Sequence, residues 1–402
     1  MTVQRNFKRI EPAPEEAIER VVEILRSGNC FRYSGDPAES ETLLLERDFL
    51  KDWGGGARFA LAVNSCSSAM LLVLKGLGIG PGHSVLVPAF TFTAVPSSIE
   101  NLYARPILVE CGPDFKVDLN DLEAKIQAHP EARVLLLSHM RGYISDMDAI
   151  PDLCARNGIT LVEDAAHALG ARWKGKLIGT FGKAACYSFQ NYKIINSGEG
   201  GMIVTDDEEL FVKMVFDQGA YEKLYEKHFV KSPLFAECLN RRPLFNMRLS
   251  NIHAAIARAQ LPYVQERIRR YGEVYETIYE GLVENDRVEF PATDAREERV
   301  FDSIQFRLKG FTPEMMETFI GFIRSRGVPL DAFSTDQNAR APWNWQYIDE
   351  KGEFPKTHAA LDTACDMRIT VTMTDEDCAY MVETVVAGIE STTAQFAEVA
   401  AD

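Results

Sequence analysis

The sequence predicts an α/β protein in which a mainly parallel mixed sheet is covered by helices on both faces. From Phe59 to Thr205, short apolar segments of strand length alternate with helical segments. Apolar residues make up 46% of the 402 residues and charged residues 25%, which is typical of a globular protein with a large core. From about Ile252 the pattern changes, which predicts a large domain over residues 1–250 and a smaller carboxyl-terminal domain over residues 251–402.

Two amphipathic helices are predicted before the alternating region, Glu15–Leu25 and Glu41–Trp53, and each is followed by glycine. The predicted strands are Phe59–Val63, Ser84–Pro88, Arg105–Glu110, Val134–Ser138, Thr160–Glu163, Ala184–Phe189 and Gly201–Thr205. The predicted helices between them are Ala69–Leu77, Val95–Leu102, Leu119–Ala128 and Ile150–Arg156. Because ligands of such sheets bind at the carboxyl ends of strands, we expect the residues that follow these strands to form one site.

The second part of the chain begins with a long, charged helical stretch that runs to about Glu284 and is interrupted near Pro262. Two strands, Val288–Pro291 and Ser303–Leu308, are predicted next. A helix over 313–327 and a final helix from Thr374 follow, and we interpret residues 393–402 as a disordered tail.

Composition excludes several classes of partner. The net charge of −16 argues against binding to nucleic acid or to an anionic membrane, since both favour a basic surface. No apolar run has the length of a membrane span, and the first residues do not resemble a signal peptide. The eight cysteines form no Cys-x-x-Cys pair and the seven histidines show no metal-ligand spacing, so we expect a cytoplasmic protein with reduced cysteines and no metal.

The most informative segment is Ser-Phe-Gln-Asn-Tyr-Lys-Ile-Ile-Asn-Ser-Gly-Glu-Gly-Gly, which contains Lys193 and spans 188–201. A lysine between apolar neighbours is held out of water, which disfavours its ammonium form and leaves an amine that condenses with an aldehyde. Asp164 ends an apolar strand upstream, in Val-Glu-Asp-Ala-Ala-His. Pyridoxal phosphate (PLP) chemistry needs a Schiff-base lysine and a carboxylate that keeps the pyridine nitrogen protonated.

Five sequence blocks in order make the chain similar to a known family. They are Asn-Ser-Cys-Ser-Ser-Ala-Met (64–70), Val-Pro-Ala-Phe-Thr-Phe-Thr-Ala (87–94), Glu-Asp-Ala-Ala-His-Ala-Leu-Gly-Ala (163–171), the lysine block, and Asn-Met-Arg-Leu-Ser-Asn-Ile-His-Ala-Ala (246–255). The chain resembles the DegT/StrS-type sugar aminotransferases, which are fold-type-I PLP enzymes. The resemblance implies that family's large PLP-binding domain and its smaller α+β domain.

The resemblance also implies the cofactor's contacts. Ser67, Ser68 and Ser188 match serines that hold the PLP phosphate, although helix capping would equally explain Ser67 and Ser68. Phe92 matches the aromatic residue that stacks on the pyridine ring, with Phe90 as the alternative. Asp164 is expected to pair with the ring nitrogen, and His167 to hydrogen-bond the ring hydroxyl.

Asn246 and Arg248 lie in a block that in the family reaches the neighbouring subunit's phosphate. That implies a homodimer with shared active sites. The alternative is that both residues cap the helix predicted over 252–260.

The activity implied is transfer of an amino group from glutamate or glutamine to the oxo group of a sugar, with Lys193 as the proton carrier. The acceptor is a nucleotide-linked keto-sugar or a sugar acid such as an octulosonate. Arg141 is a candidate for binding an anionic group of the substrate, unless it points into solvent or pairs with Asp146 or Asp148. A PLP-dependent dehydratase or aromatising enzyme, a cyclitol aminotransferase and, more remotely, a non-catalytic binding or regulatory protein are the alternatives.

Overall fold

The computed structural model describes residues 5–349 and 351–399, and their strands form three sheets. The strands, numbered along the chain, are β1 (Phe59–Val63), β2 (Ser84–Pro88), β3 (Arg105–Val109), β4 (Val134–Ser138), β5 (Thr160–Asp164), β6 (Arg172–Trp173), β7 (Lys176–Leu177), β8 (Ala184–Ser188), β9 (Gly201–Thr205), β10 (Val288–Glu289), β11 (Glu297–Glu298), β12 (Ser303–Leu308), β13 (Asp331–Ala332) and β14 (Ala364–Arg368). The seven strands predicted between Phe59 and Thr205 are therefore all present, with ends that agree within a residue or two.

The central sheet has seven strands in the order β1-β9-β8-β5-β4-β2-β3. Strands β3, β2, β4, β5 and β8 run parallel to one another, and β9 runs antiparallel to both β8 and β1. The sheet is thus mixed and mainly parallel. Its parallel strands end at one edge, where Ser138 of β4 lies opposite Asp164 of β5.

Helices cover both faces of this sheet and continue into the second half of the chain. They are α1 (Glu15–Ser27), α2 (Glu41–Trp53), α3 (Cys66–Gly76), α4 (Ala94–Glu100), α5 (Leu119–Ala128), α6 (Ala149–Arg156), α7 (Glu208–Gln218), α8 (Leu234–Cys238), α9 (Asn251–Arg258), α10 (Val264–Val283), α11 (Pro313–Ser325), α12 (Pro355–Leu361) and α13 (Asp375–Val399). Proline follows the end of α9 at position 262, and a short 3-10 turn separates α9 from α10 as the sequence predicted.

Alternate residues of the buried strands contribute to two different cores. In β4, Val134 and Leu136 pack with α3, α4 and α7, whereas Leu135 and Leu137 pack with α2, α5 and α6 on the opposite face. Because both faces are covered, the strands are apolar throughout and not alternating. The α/β class and the helices on both faces are confirmed.

A second sheet has four antiparallel strands in the order β10-β12-β14-β13 and packs against α10, α11 and α13. This is the smaller α+β unit that the sequence predicted. Helix α9, by contrast, packs against α1 and α2. The division of the chain at residue 250 stays a prediction.

Some elements differ from those predicted. Helix α3 begins at Cys66, three residues before the predicted start, because Ser65 caps it by accepting a hydrogen bond from the backbone of Ser68. Helix α13 continues to Val399, so the interpretation of 393–399 as disordered is wrong, and residues 400–402 lie outside the described part. The sequence analysis did not predict the helices α7, α8 and α12 or the strands β6, β7, β11, β13 and β14.

Within residues 5–349 and 351–399, no helix is long and apolar enough to cross a membrane. The same residues contain no group of three or more histidine, cysteine, aspartate or glutamate side chains that could hold a metal ion. The predicted location in the cytoplasm stays a prediction.

Candidate active site

A cavity of about 400 Å³ lies at the edge of the central sheet where the parallel strands end, a size typical of small-molecule sites. It is lined by residues at or after the ends of β1, β2, β5 and β8. Two arginines from the part of the chain that forms the four-stranded sheet, Arg340 and Arg368, also line it. Six of the predicted site residues line it, namely Ser67, Phe92, Asp164, His167, Ser188 and Lys193. The expectation that the strand ends converge on one site is therefore met.

The amine of Lys193 is almost completely enclosed, with 9% of its side chain exposed. Its Nζ lies 2.8 Å from Nε2 and 3.0 Å from Nδ1 of His167, and 3.8 Å from Oδ2 of Asp302. Burial lowers the pKa of Lys193 to about 7, with Asp302 opposing this shift and Arg368 adding to it. Near neutral pH, a large fraction of this lysine is therefore an uncharged amine.

His167 connects Lys193 to a carboxylate that sequence reasoning missed. Its Nδ1 lies 2.6 Å from Oδ2 of Asp302, which directly precedes β12. Burial lowers the pKa of His167 to about 3, against the opposing effect of Asp302. A neutral ring whose Nδ1–H donates to Asp302 leaves Nε2 as the acceptor for Lys193, a tautomer that we assign from the hydrogen bonds.

Asp302 remains ionised although it is buried. Burial raises the pKa of Asp302, but its charge interaction and hydrogen bond with His167, together with the charges of Lys193 and Arg368, outweigh burial and hold that pKa well below its usual value. In the sequence, Asp302 is an acidic residue before a strand, 135 positions after His167, and nothing in its neighbourhood indicates a site.

Asp164 is fixed at the end of β5 by donors from three directions. Its Oδ2 accepts a 2.7 Å hydrogen bond from Ser138 Oγ, and its Oδ1 accepts a 3.1 Å bond from the backbone N–H of Ala166. The thiol of Cys66 lies 3.7 Å from the same Oδ1. The carboxylate is thus buried and oriented along the cavity wall.

The start of α3 offers the cavity's anion-binding groups. Ser65 is the N-cap, and its hydroxyl is also bonded to the hydroxyl of Ser68 at 2.9 Å. Ser67 is exposed in the first turn and lines the cavity, whereas Ser68 does not line it. Neither Ser67 nor Ser68 is therefore the helix cap. A Cβ at Gly201 would come within 2.8 Å of the Ser65–Cys66 backbone, so the glycine at this position lets β9 begin directly against the helix start.

The two aromatic candidates have different environments. Phe92 is 42% exposed and lines the cavity. Phe90 is fully buried in a separate cluster with Phe115 and Phe333. Phe90 is a core residue, whereas Phe92 lines the cavity, as does the ring of Tyr192.

Arg141 neither points into solvent nor pairs with Asp146 or Asp148, so that alternative is wrong. It is buried, its backbone is left-handed with φ of 56°, and its Nη2 donates to Asp366. Asp146 and Asp148 pair with Arg296 instead. Two arginines that the sequence did not indicate, Arg340 and Arg368, line the cavity.

Asn246 and Arg248 lie outside the cavity of their own chain. Asn246 is exposed, and Arg248 donates to the carbonyl of Gly219 at 2.6 Å. The helix after them, α9, is capped by Ser250, which accepts from the backbone of His253. Capping of that helix by Asn246 or Arg248, the alternative interpretation, does not occur.

Comparison with known proteins identifies the family. The model of the DegT/DnrJ/EryC1/StrS aminotransferase family matches residues 13–386. This chain belongs to that family. It is 32% identical to 3-amino-5-hydroxybenzoate synthase of Amycolatopsis mediterranei, over 82% of each chain.

Two further proteins are similar to this chain, one in sequence over about half of its length and one in fold. The chain is 38% identical to GDP-perosamine synthase of Caulobacter vibrioides, over 53% of this chain and 54% of that relative. The PLP form of Spr1654 from Streptococcus pneumoniae, a proposed sugar aminotransferase, has the same fold, with a TM-score of 0.83 and 22% identity over 97% of this chain and all of that one. The fold-type-I assignment is confirmed, and the protein is a PLP-dependent transaminase, as predicted.

The residues present fit the cofactor of this aminotransferase family. An enclosed amine, a buried carboxylate and an exposed aromatic ring line one cavity, and these are the groups that PLP requires. The backbone N–H groups at the start of α3, with the Ser67 and Ser188 hydroxyls, form a donor set for a phosphate.

Proposed function

We propose that this aminotransferase moves an amino group from glutamate or glutamine to the oxo group of a sugar. The observation that carries the proposal is Lys193, whose amine has a pKa lowered to about 7 and lies in a cavity that also contains Asp164. An amine that is neutral near physiological pH is both a nucleophile and a proton carrier. Its position gives it access to substrate in both half-reactions.

The proposed roles of the binding residues follow from their chemistry. Bound PLP supplies an electron sink for the negative charge that develops when a proton leaves the donor's α-carbon. Asp164, oriented by Ser138, keeps the pyridine nitrogen protonated. Phe92 provides an apolar face for the ring, and Ser67 and Ser188 donate to the phosphate.

Lys193 is the residue that transfers protons, and His167 and Asp302 hold its amine in position. Lys193 takes the proton from the α-carbon of the donor and returns a proton to the acceptor carbon in the second half-reaction. A charged Lys193 donates to Nε2 of His167, and Asp302 holds the ring in the tautomer that accepts this bond. His167 therefore orients the amine; a contact to the cofactor's hydroxyl, suggested by the sequence, is compatible with its place in the cavity wall.

The acceptor is an oxo-sugar, either nucleotide-linked or a sugar acid. Similarity to GDP-perosamine synthase supports the sugar class. The second candidate is aromatisation or dehydration of a carbocyclic amine precursor, and the observation that favours it is the 32% identity to 3-amino-5-hydroxybenzoate synthase across most of both chains. A cyclitol ketone is a further acceptor of the same reaction.

The visible absorbance of the PLP-loaded enzyme separates these candidates. We expect glutamate or glutamine to bleach it to the amine form of the cofactor, and the first oxo-sugar accepted to restore it. Absorbance that persists with both donors, together with release of water from a carbocyclic amine substrate, would favour the dehydratase. Failure of the protein to bind PLP at all would contradict both.

We further propose a homodimer in which Asn246 completes the partner's site. Asn246 is exposed in a segment whose neighbours Leu244 and Phe245 are 49% and 36% exposed, and such apolar side chains at the surface favour a protein contact. If so, heterodimers of Lys193→Ala and Asn246→Ala, each inactive alone, contain one intact site and recover about half of the activity per dimer. Mixed dimers that remain inactive, with dimer mass established by light scattering, would refute the sharing of sites.

A further inference from the structure

The segment that carries Lys193 joins β8 to β9 through turns and bends, without regular secondary structure. Its own backbone hydrogen bonds join Phe189 to Gly200 and Asn191 to Gly198. Beyond these pairs, at Ile194 and Asn196, the backbone takes its partners from side chains of a distant part of the chain. Because buried backbone groups need hydrogen-bond partners, those side chains determine where this part of the segment lies.

Gln260 binds both backbone polar groups of Asn196. Its Oε1 accepts from the N–H of Asn196 at 3.0 Å, and its Nε2 donates to the carbonyl of the same residue at 2.6 Å. Nε2 also donates to the carbonyl of Ile256 in α9 at 2.8 Å. Gln260 is buried and lies between α9 and α10. Its amide therefore ties the Lys193 segment to the end of α9.

Arg267, in the first turn of α10, holds the residue next to the lysine. Its Nη1 donates to the carbonyl of Ile194 at 2.9 Å and also to Oε1 of Gln260. Its Nε donates to Oε2 of Glu11 at 2.9 Å. Arg267 is buried, and hydrogen bonds from a charged donor are strong where water is excluded. Arg267 thus fixes the carbonyl after Lys193 and also the amide group of Gln260.

Glu11 supplies the negative charge that orients Arg267. Its two carboxylate oxygens accept from Arg267 and from Arg270, which lies about one turn further along α10. Burial raises the pKa of Glu11, but the hydrogen bond from Arg270 and the charges of Arg267 and Arg270 outweigh burial and lower that pKa. Glu11 is therefore ionised at neutral pH. Arg270 donates in addition to the carbonyl of Val371 and not to the Lys193 segment.

We propose that Gln260 and Arg267 are positioning residues of the transamination, which fix the backbone after Lys193 and thereby the place where its amine meets the substrate. This rests on the proposed role of Lys193. Both side chains lie outside the cavity that Lys193 lines, so they act through the segment and not by contact with substrate. A reacting group that is misplaced by about 1 Å loses about a hundredfold in rate.

Two arginines of α10 provide a matched pair of variants. Arg267 and Arg270 both pair with Glu11, but Arg267 also binds the Lys193 segment, whereas Arg270 binds Val371. Arg267→Gln removes a bond to the segment. Arg270→Gln removes an ion pair with the same carboxylate and leaves the segment's bonds in place. Gln260→Met is a second variant of similar side-chain length, which removes both bonds to Asn196.

Two rates report on Lys193 itself. They are the rate at which apoenzyme takes up PLP and the rate constant for bleaching by glutamate, expressed per bound PLP. We expect Arg267→Gln and Gln260→Met to lower both rates by about tenfold to a hundredfold. The glutamate concentration that gives half of the maximal rate should stay within about threefold of wild type, because donor binding is not altered. Arg270→Gln should keep both rates within about twofold, since it loses only a partly exposed ion pair.

A purely structural role predicts a different result. It would lower the melting temperature of Arg267→Gln and Gln260→Met but leave both rates per bound PLP as in wild type, and that result would overturn the proposal. Equal losses in Arg267→Gln and Arg270→Gln would attribute the effect to the pairing with Glu11. A raised half-saturating glutamate concentration at an unchanged rate constant would assign the side chains to donor binding. If neither Arg267→Gln nor Gln260→Met has native near-UV circular dichroism, both side chains hold the fold and the proposal also fails.

PLP uptake separates this proposal from the proposed function. If wild-type enzyme takes up PLP but is not bleached by glutamate or glutamine, the proposed donors are wrong, and the uptake rates still test Gln260 and Arg267. If reduction with borohydride places the cofactor on a lysine other than Lys193, the proposed role of Lys193 fails first. If wild-type enzyme is bleached and both variants match its rates, only the positioning role fails.

Discussion

Replacement of Asp302 by asparagine tests the arrangement behind the reactive lysine. Asp302 is isosteric with asparagine, so the change removes a charge and keeps the shape. A unit charge 3.8 Å from Lys193 Nζ is worth about 1 kcal/mol in water and about 4 kcal/mol at an effective dielectric constant of 20. Since 1.36 kcal/mol corresponds to one pKa unit, the pKa of Lys193 should fall by roughly 0.7 to 3 units from its value of about 7.

The sign of this shift follows from the charges. Asp302 stabilises the ammonium form of Lys193, so its removal favours the neutral amine and extends reactivity to lower pH. The assay is the initial rate at which apoenzyme takes up PLP, followed by visible absorbance between pH 5 and 9. Wild-type uptake should be half-maximal near pH 7, and uptake by Asp302→Asn should be half-maximal at a lower pH.

The comparison is internally controlled. Both proteins meet the same PLP, so ionisation of the cofactor in solution cancels between them. Asp152→Asn, an exposed aspartate paired with Arg156, should leave the midpoint unchanged. A midpoint for Asp302→Asn that is unchanged or moved to higher pH would refute the assigned role of Asp302.

Three other changes probe separate parts of the account. Asp164→Asn should still bind PLP but lower the turnover number by a hundredfold or more, because the ring nitrogen loses its counter-charge; turnover within threefold of wild type would remove that role. Gly201→Ala should weaken PLP affinity about tenfold, measured by equilibrium titration, because its Cβ would displace the first turn of α3. Glu46→Gln leaves the buried Arg32 without its carboxylate and should lower the free energy of unfolding by about 3 kcal/mol in urea; a loss below 1 kcal/mol would contradict this.

The sequence predicted the central sheet well because its strands have a simple physical signature. Strands covered on both faces are continuous apolar runs, and β1, β2, β4 and β9 were all predicted with their observed bounds. The strand β14 was missed because Ala-Cys-Asp-Met-Arg mixes polar and apolar residues. Its polar side chains have their contacts in the tertiary structure, where Asp366 accepts from Arg141 and Gln305 and Arg368 lines the cavity.

The part of the candidate site that the sequence predicted consists of residues in short, recognisable segments. Lys193 and Asp164 lie in recognisable segments that follow neighbouring strands, and the structure places both in one cavity. From the other end of the chain, Arg340 lines the same cavity and Asp302 contacts His167, and no local pattern indicates either position. Ser68 was grouped with Ser67, but only the structure shows that its hydroxyl is bonded to the cap residue Ser65.

The most direct test of the central claim is to locate the cofactor on the chain. Holoenzyme is reduced with borohydride, digested and mapped by mass spectrometry to find the phosphopyridoxyl group. The account predicts that the group is on Lys193 and that the Lys193→Ala variant is not labelled. Label on another lysine, such as Lys183 or Lys176, or a fully labelled Lys193→Ala variant, would contradict it.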